Sequence, residues 1–303
     1  GAAAASGVAL LVRRGPRSEA PLRAGSLGRL ALIAAVGGVA APALLVLGLR
    51  RIDAASGSML LALETPWTVL LAWLVHREHV GRRVLVAGAL LFAGAVVMAG
   101  RPGQLAGALG ALLVAAAALA WALDNVLSRP LADRDPLAVV AAKGALGAAA
   151  SAAGAALLRD PWPGLAAASV LLVVGGFAFG VSLQLYLRAQ RAMGAARTAS
   201  VFAAAPLLGA AASLLFGTPW PGWSFVAASV LVAGGLGLHA TERHGHAHTH
   251  TAMVHEHAHT HDDGHHDHPH DPLVTGVHTH AHRHDAVSHT HAHAPDLHHR
   301  HEH

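Results

Sequence analysis

The sequence predicts an all-α, polytopic membrane protein, and three observations carry that prediction. Hydrophobic residues make up 53% of the 303 positions, against 13% charged and 4% aromatic, a balance that soluble domains do not show. Uncharged runs rich in Ala, Gly and Leu recur at the roughly 20 residues that a helix needs to cross a hydrocarbon core. These runs lack the polar–apolar alternation of barrel strands, so their backbone groups must be satisfied within helices.

The elements follow in order. Gly1 to Val12 is apolar but too short to cross alone, and it reads as the end of a helix. Full spans are predicted near 30–49, 55–75, 84–100, 105–127, 137–158, 165–187, 198–216 and 223–240. The breaks between them hold the charges and prolines: Arg50 and Arg51, then Arg77 to Arg83, Arg101 with Pro102, Arg129 with Pro130, Arg159 to Pro163, Arg188 to Arg197, and Gly217 to Gly222. Arginine also sets orientation. Loops on one side carry Arg13, Arg14, Arg17, Arg23, Arg29, Arg77, Arg82, Arg83, Arg129, Arg134, Arg188, Arg191 and Arg197, whereas the other side carries Arg50, Arg51, Arg101 and Arg159. The rich side is cytoplasmic by the positive-inside rule, which places the C-terminal segment in the cytoplasm of a cell whose inner (plasma) membrane holds the body.

The sequence has no cysteine, which removes disulfides, thiolate metal sites and palmitoylation. No signal peptide is visible, and the first residue is Gly, so an opening helix is expected ahead of Gly1. Lys and Arg exceed Asp and Glu by 21 to 17, but the arginines sit in inter-helix loops and serve topology, so nucleic acid is not an expected partner.

An internal repeat is visible at an offset of about 140 residues. Pro66, the polar break at His76 to Arg83 and Gly94 correspond to Pro206, the break at Gly217 to Trp223 and Gly234. Duplicating a unit with an odd number of helices produces halves of opposite topology, as in many secondary transporters. The stretch Ala55 to Pro66 (Ala-Ser-Gly-Ser-Met-Leu-Leu-Ala-Leu-Glu-Thr-Pro), the run closed by Glu78, and the Gly-rich helix from Gly81 to Ala99 resemble the second half of an EamA domain of the drug/metabolite transporter superfamily. A second such domain opens at Gly107, contains the pair Trp121 and Ala122, and closes at Leu238. The resemblance implies two inverted five-helix repeats, over 1–100 and 105–240, the first lacking its opening helix. It also implies a carrier of small metabolites such as amino acids, and no enzymatic activity. Thr218 stands where the first repeat has Glu78, so any role of that acid is confined to one half.

Ionisable groups inside a span cost about 2.5–3.5 kcal/mol and usually face a cavity or a partner. Glu64, Asp124 and Lys143 are such groups. Glu64 precedes Thr65 and Pro66, and a proline within a helix frees a carbonyl for ligands. The carboxylate serves substrate or proton coupling, or pairs with Lys143 to hold two helices. Trp67, Trp121 and Gln184 are candidate cavity residues. Asp124 with Asn125 lies within a turn of a cytoplasmic helix end, where such residues ordinarily reach headgroups or water. Trp162, Trp220 and Trp223 flank Pro-rich turns as interfacial anchors. His76 and His79 share a helical face, more in keeping with interfacial polar residues than with a metal site.

Residues 241–303 hold all but three of the 26 histidines, mostly in His-x-His steps. Imidazole is a ligand for zinc, nickel, cobalt and copper, so the expected metal ligands are His244, His246, His248, His250, His255, His257, His259, His261, His265, His266, His268, His270, His278, His280, His282, His284, His289, His291 and His293. Such a polar tail has almost nothing to bury and is expected to be disordered without metal. The expected partners are therefore the lipid bilayer, a small-molecule substrate, divalent metal ions and, as an oligomer, a second copy in a homodimer. Transport itself requires no cofactor. Two alternatives stay open: a divalent-metal transporter fed or regulated by the tail, and a non-transporting membrane metal sensor.

Overall fold

The structure is a computed structural model, and it describes the chain apart from residues 13–18, 77–79, 100–104, 133, 203, 241–243, 250–252, 260–277, 285–287 and 294–303. His79 and Glu78 lie outside the described residues. The helices are α1 (Ala2–Val12), α2 (Leu27–Ile33), α3 (Ala41–Leu49), α4 (Ala54–Leu61), α5 (Glu64–His76), α6 (Arg82–Ala99), α7 (Leu105–Ser128), α8 (Pro136–Leu158), α9 (Leu165–Gly175), α10 (Ser182–Phe202), α11 (Ala205–Leu215) and α12 (Trp223–Ala240). Two π-helical segments, Ala34–Ala40 and Gly176–Val181, join α2 to α3 and α9 to α10. Among the described residues five helical stretches are long and apolar enough to cross a membrane: Leu27–Leu49, Ala54–Val75, Gly107–Leu131, Pro136–Leu158 and Leu165–Gln190. The protein is thus an all-α membrane fold, as the composition implies.

The repeat is written in the irregularities of the helices. The π segments at Ala34–Ala40 and Gly176–Val181, and the breaks ahead of Pro66 and Pro206, recur at the offset of about 140 residues. Across the first break the backbone bonds shorten to three-residue steps, from Ala62 N–H to Met59 O and from Leu63 N–H to Leu60 O. Pro66 has no N–H to continue the α-pattern, so the chain tightens before α5 begins. Two sequence expectations need correction. The span predicted over 198–216 is broken near residue 204, whereas that predicted over 55–75 stands as Ala54–Val75 with a local break near residue 62. The loop expected at Arg188 to Arg197 is helical within α10, because Ala, Arg, Gln and Met there are good helix formers.

The described chain packs as two compact units that cut across the sequence repeats, since each takes helices from both halves. One unit comprises residues 33–128 and 193–243. Its core gathers Met59, Leu60, Leu91, Val114, Phe225 and Val232 with small residues such as Ala55, Ala118 and Ala228. Asp53 starts α4 by accepting from Ser56 N–H at 2.8 Å and Ser56 Oγ at 2.7 Å. Within this unit α6 pairs with its repeat equivalent α12, and α4 packs on α11, which the offset matches to α5. The α6–α12 contact is reciprocal. A Cβ on Gly94 would lie 3.2 Å from Ala228 O, and one on Gly235 would lie 2.8 Å from Ala87 O. Those two contacts interchange under an offset of 141 residues, one residue from the offset that aligns Pro66 with Pro206, so the packing is close to isologous, and glycine is what lets the backbones approach so closely in lipid.

The other unit comprises residues 1–32, 129–192 and 244–303. Asp135 caps α8, accepting from Leu137 N–H at 3.0 Å with Pro136 in the first turn, and its own N–H donates to Ala20 O at 2.9 Å. Helix α1 packs on α8 and on the second π segment, where Gly144 and Gly180 admit its backbone at Ala3 and Ala2. Helix α9 is exposed along nearly its whole apolar length, including Val170, Leu171 and Val173, which fits a surface bathed in acyl chains.

The tail is consistent with the disordered segment that its composition predicts, and short pieces of it are described. Its described residues are strands β1 (His244–Thr249), β2 (Met253–His259), β3 (His278–His284) and β4 (Ser288–His293), with β1 antiparallel to β4 and β2 antiparallel to β3. The His-x-His step has the two-residue period of a strand, which a helix cannot use.

Candidate functional site

The site grows from α7. Trp121, Asp124, Asn125 and Ser128 occupy its last two turns, and each finds a partner in the same compact unit. Asn125 Nδ2 donates to Glu64 Oε1 at 2.8 Å. The receiving carboxylate opens α5 immediately after the backbone break, so an amide on a continuous helix fixes an acid on a broken one. Trp121 Nε1 donates to Gly37 O at 3.1 Å, inside the first π segment. A π turn leaves a carbonyl out of the ordinary α ladder, and the indole takes it up. Ser128 Oγ donates to Asp124 Oδ1 at 3.3 Å.

Asp124 is 4% exposed, which corrects the reading that it reaches headgroups or water. Its side chain lies against Gly37, where a Cβ would come within 2.7 Å of Asp124 Cβ. Glycine at 37 is therefore a space requirement of the buried acid. Thr65 is buried beside Glu64. Trp67, one turn beyond Glu64, packs against the core with its indole Nε1 buried and without an acceptor among the described residues. An unmet buried donor costs about 1–3 kcal/mol, which ligand binding could recover.

Of the residues singled out from sequence, Glu64, Thr65, Pro66, Trp67, Trp121 and Asp124 belong to one compact unit, and Lys143 and Gln184 belong to the other. Lys143 is buried, and Gln184 Nε2 donates to Ser6 Oγ at 2.9 Å. Trp162, Trp220 and Trp223 are exposed, in keeping with interfacial anchors. Sequence reasoning missed Gly37 and Ser128 and did not connect Asn125 with Glu64. The Gly37–Gly38 pair inside an apolar span was the available signal for a close approach.

The EamA-like transporter family model matches this chain twice, over residues 1–100 and 108–241. The chain belongs to the EamA-like transporter family. It is therefore a multi-pass membrane transporter of the drug/metabolite transporter superfamily. An uncharacterized protein of Pseudomonas aeruginosa is 36% identical over 204 residues, covering 65% of this chain and 68% of that protein. An uncharacterized transporter of Methanothermobacter thermautotrophicus is 30% identical over 213 residues, covering 66% of this chain and 60% of that protein. A solved crystal structure superposes with a TM-score of 0.58 over 78% of this chain and 82% of its own, at 19% identity, a likeness of fold.

Proposed function

We propose that this EamA-like transporter carries a small polar metabolite, an amino acid or related compound, outward across the inner membrane by alternating access, with Glu64 as the substrate- or proton-coupling group. The observation that supports this most is the Glu64 carboxylate, set at a helix break and held by Asn125 at 2.8 Å. Acids inside membrane spans are costly and mark substrate or proton pathways, and broken helices expose backbone groups for the cargo. Thr65 and the unmet Trp67 N–H lie on the same stretch and offer neutral hydrogen-bonding groups to a polar solute. Reconstituted vesicles test this reading. Glu64→Gln should insert normally yet lose or uncouple metabolite flux, and a variant with normal rate and normal pH dependence would reduce Glu64 to packing.

The tail adds a second activity to this reading: cytoplasmic binding of zinc, nickel, cobalt or copper by its histidines. The same feature supports one alternative, a divalent-metal carrier whose tail collects cargo. Flux of labelled zinc, nickel and cobalt through the intact protein, compared with a chain ending at Ala240, separates cargo from regulator. A protein that binds metal and moves neither metal nor metabolite would be a membrane metal sensor.

A further inference from the structure

The two π segments complete their ladders differently. A π turn carries its hydrogen bond from an amide to the carbonyl of the residue at i−5. In the second segment Ser182 N–H donates to Phe177 O in this way. In the first, Ala41 N–H donates to Val36 O, so the next amide of the pattern would meet Gly37 O. That next residue is Pro42, which has no N–H. The repeat offset that sets Pro66 on Pro206 also sets Gly37 on Phe177 and Pro42 on Ser182, and the two sites therefore differ by one amide donor.

In the first segment the donor comes from another helix. Trp121 Nε1, on α7, donates to Gly37 O at 3.1 Å. Gly37 is buried, and a buried carbonyl that loses its donor is costly. Asn125 lies one turn beyond Trp121 on the same face of α7, and it donates to Glu64 Oε1 at 2.8 Å. One helix thus grips two first-repeat spans at adjacent turns, with an indole on the π turn of Leu27–Leu49 and an amide on the break in Ala54–Val75. All five residues, Gly37, Pro42, Glu64, Trp121 and Asn125, belong to one compact unit.

We infer that Trp121 is a positioning residue for Glu64: its indole N–H stands in for the amide that Pro42 lacks, and that bond sets the register of α7 at which Asn125 reaches the carboxylate. The inference rests on the coupling role of Glu64 and adds what holds its partner in place. Restoring the amide tests it. Trp121→Phe keeps an aromatic ring and removes the N–H, whereas Pro42→Ala returns an amide beside Gly37 O and leaves α7 untouched. The full-length protein and its variants are compared for thermal half-life in detergent and for flux of a labelled amino-acid mixture in vesicles. Trp121→Phe should lower both about fivefold or more, because a buried acceptor loses its donor. In the Pro42→Ala background the same change should cost about twofold or less, a coupling that the double-mutant cycle isolates. Asn125→Ala should likewise shorten the half-life less in the Trp121→Phe background than alone. Equal losses from Trp121→Phe in the two backgrounds, misfolding of both included, would overturn the exchange of donors. Additive losses from Trp121→Phe and Asn125→Ala, or rescue of half-life by Pro42→Ala without rescue of flux, would overturn the positioning of Glu64. If the unaltered protein moves no amino acid, the metabolite reading fails, and the two half-life cycles still decide the role of Trp121.

Discussion

Replacing Gly235 by Ala probes the reciprocal α6–α12 contact, with Gly237 on the same helix as the internal control. A Cβ at 235 would lie 2.8 Å from Ala87 O, 3.0 Å from Leu91 Cγ and 3.3 Å from Leu90 Cβ. The carbonyl is backbone and cannot rotate away, so the helices must separate by several tenths of an ångström. Overpacking of this kind costs about 1–3 kcal/mol, while exchanging Gly for Ala inside a helix returns about 1 kcal/mol. Gly235→Ala should therefore destabilise by about 0–2 kcal/mol, taking the two terms together. Nothing lies within 4 Å of a Cβ at Gly237, so Gly237→Ala keeps only the favourable term. The assay is the half-life of helical circular dichroism for the three purified proteins at one elevated temperature in one detergent, since unfolding of such proteins is commonly irreversible. The order should be Gly237→Ala longest and Gly235→Ala shortest. Equal half-lives for the two variants, or the reverse order, would refute the close packing of α6 on α12.

Four further outcomes are expected. Asn125→Ala should lower transport about tenfold or more while the protein still inserts, because a hydrogen bond to a charged group is worth about 1.5–3 kcal/mol; vesicle flux measures it. Gly37→Ala should destabilise the protein, and the same change in an Asp124→Ala background should cost at least about 1 kcal/mol less, as a double-mutant cycle on thermal half-life would show. Deleting Thr241 to His303 should leave metabolite flux in place and remove nearly all zinc binding by equilibrium dialysis. Zinc binding by the intact protein should weaken as pH falls below about 6.5, since metal and proton compete for imidazole nitrogen, and it should release protons measurable in weak buffer.

The spans were legible in the sequence because apolar length is a one-dimensional property. Leu27–Leu49, Pro136–Leu158 and Leu165–Gln190 fall close to where the apolar runs put them. The continuous helix through Arg188 and Arg191 was not legible as such, because polar residues mark a loop and a good helix with equal ease. Glu64 stood out by the cost of an acid in lipid. Its partner did not, because Asn125 carries no charge and lies 61 positions away in the chain. The burial of Asp124 depended on an absent side chain, Gly37, across a π turn that composition does not announce.

The repeat sharpens what kind of site this is. Both halves keep the helix break, ahead of Pro66 and ahead of Pro206, so the backbone geometry is symmetric. The chemistry is not. The repeat offset carries Glu64, Thr65 and Trp67 onto Ala204, Ala205 and Leu207, which offer no polar side chain. The second break is instead used for packing: Ser58 Oγ donates to Pro206 O at 2.8 Å, and Gly209 leaves room for that serine. Ser58 thus ties α4 to α11, one broken span to its repeat counterpart, while the acid and its Asn125 partner stand only at the first. A duplicated hinge with one polar copy concentrates the coupling group in one half, and a single substitution at Glu64 has no equivalent acid at that position of the other repeat to replace it.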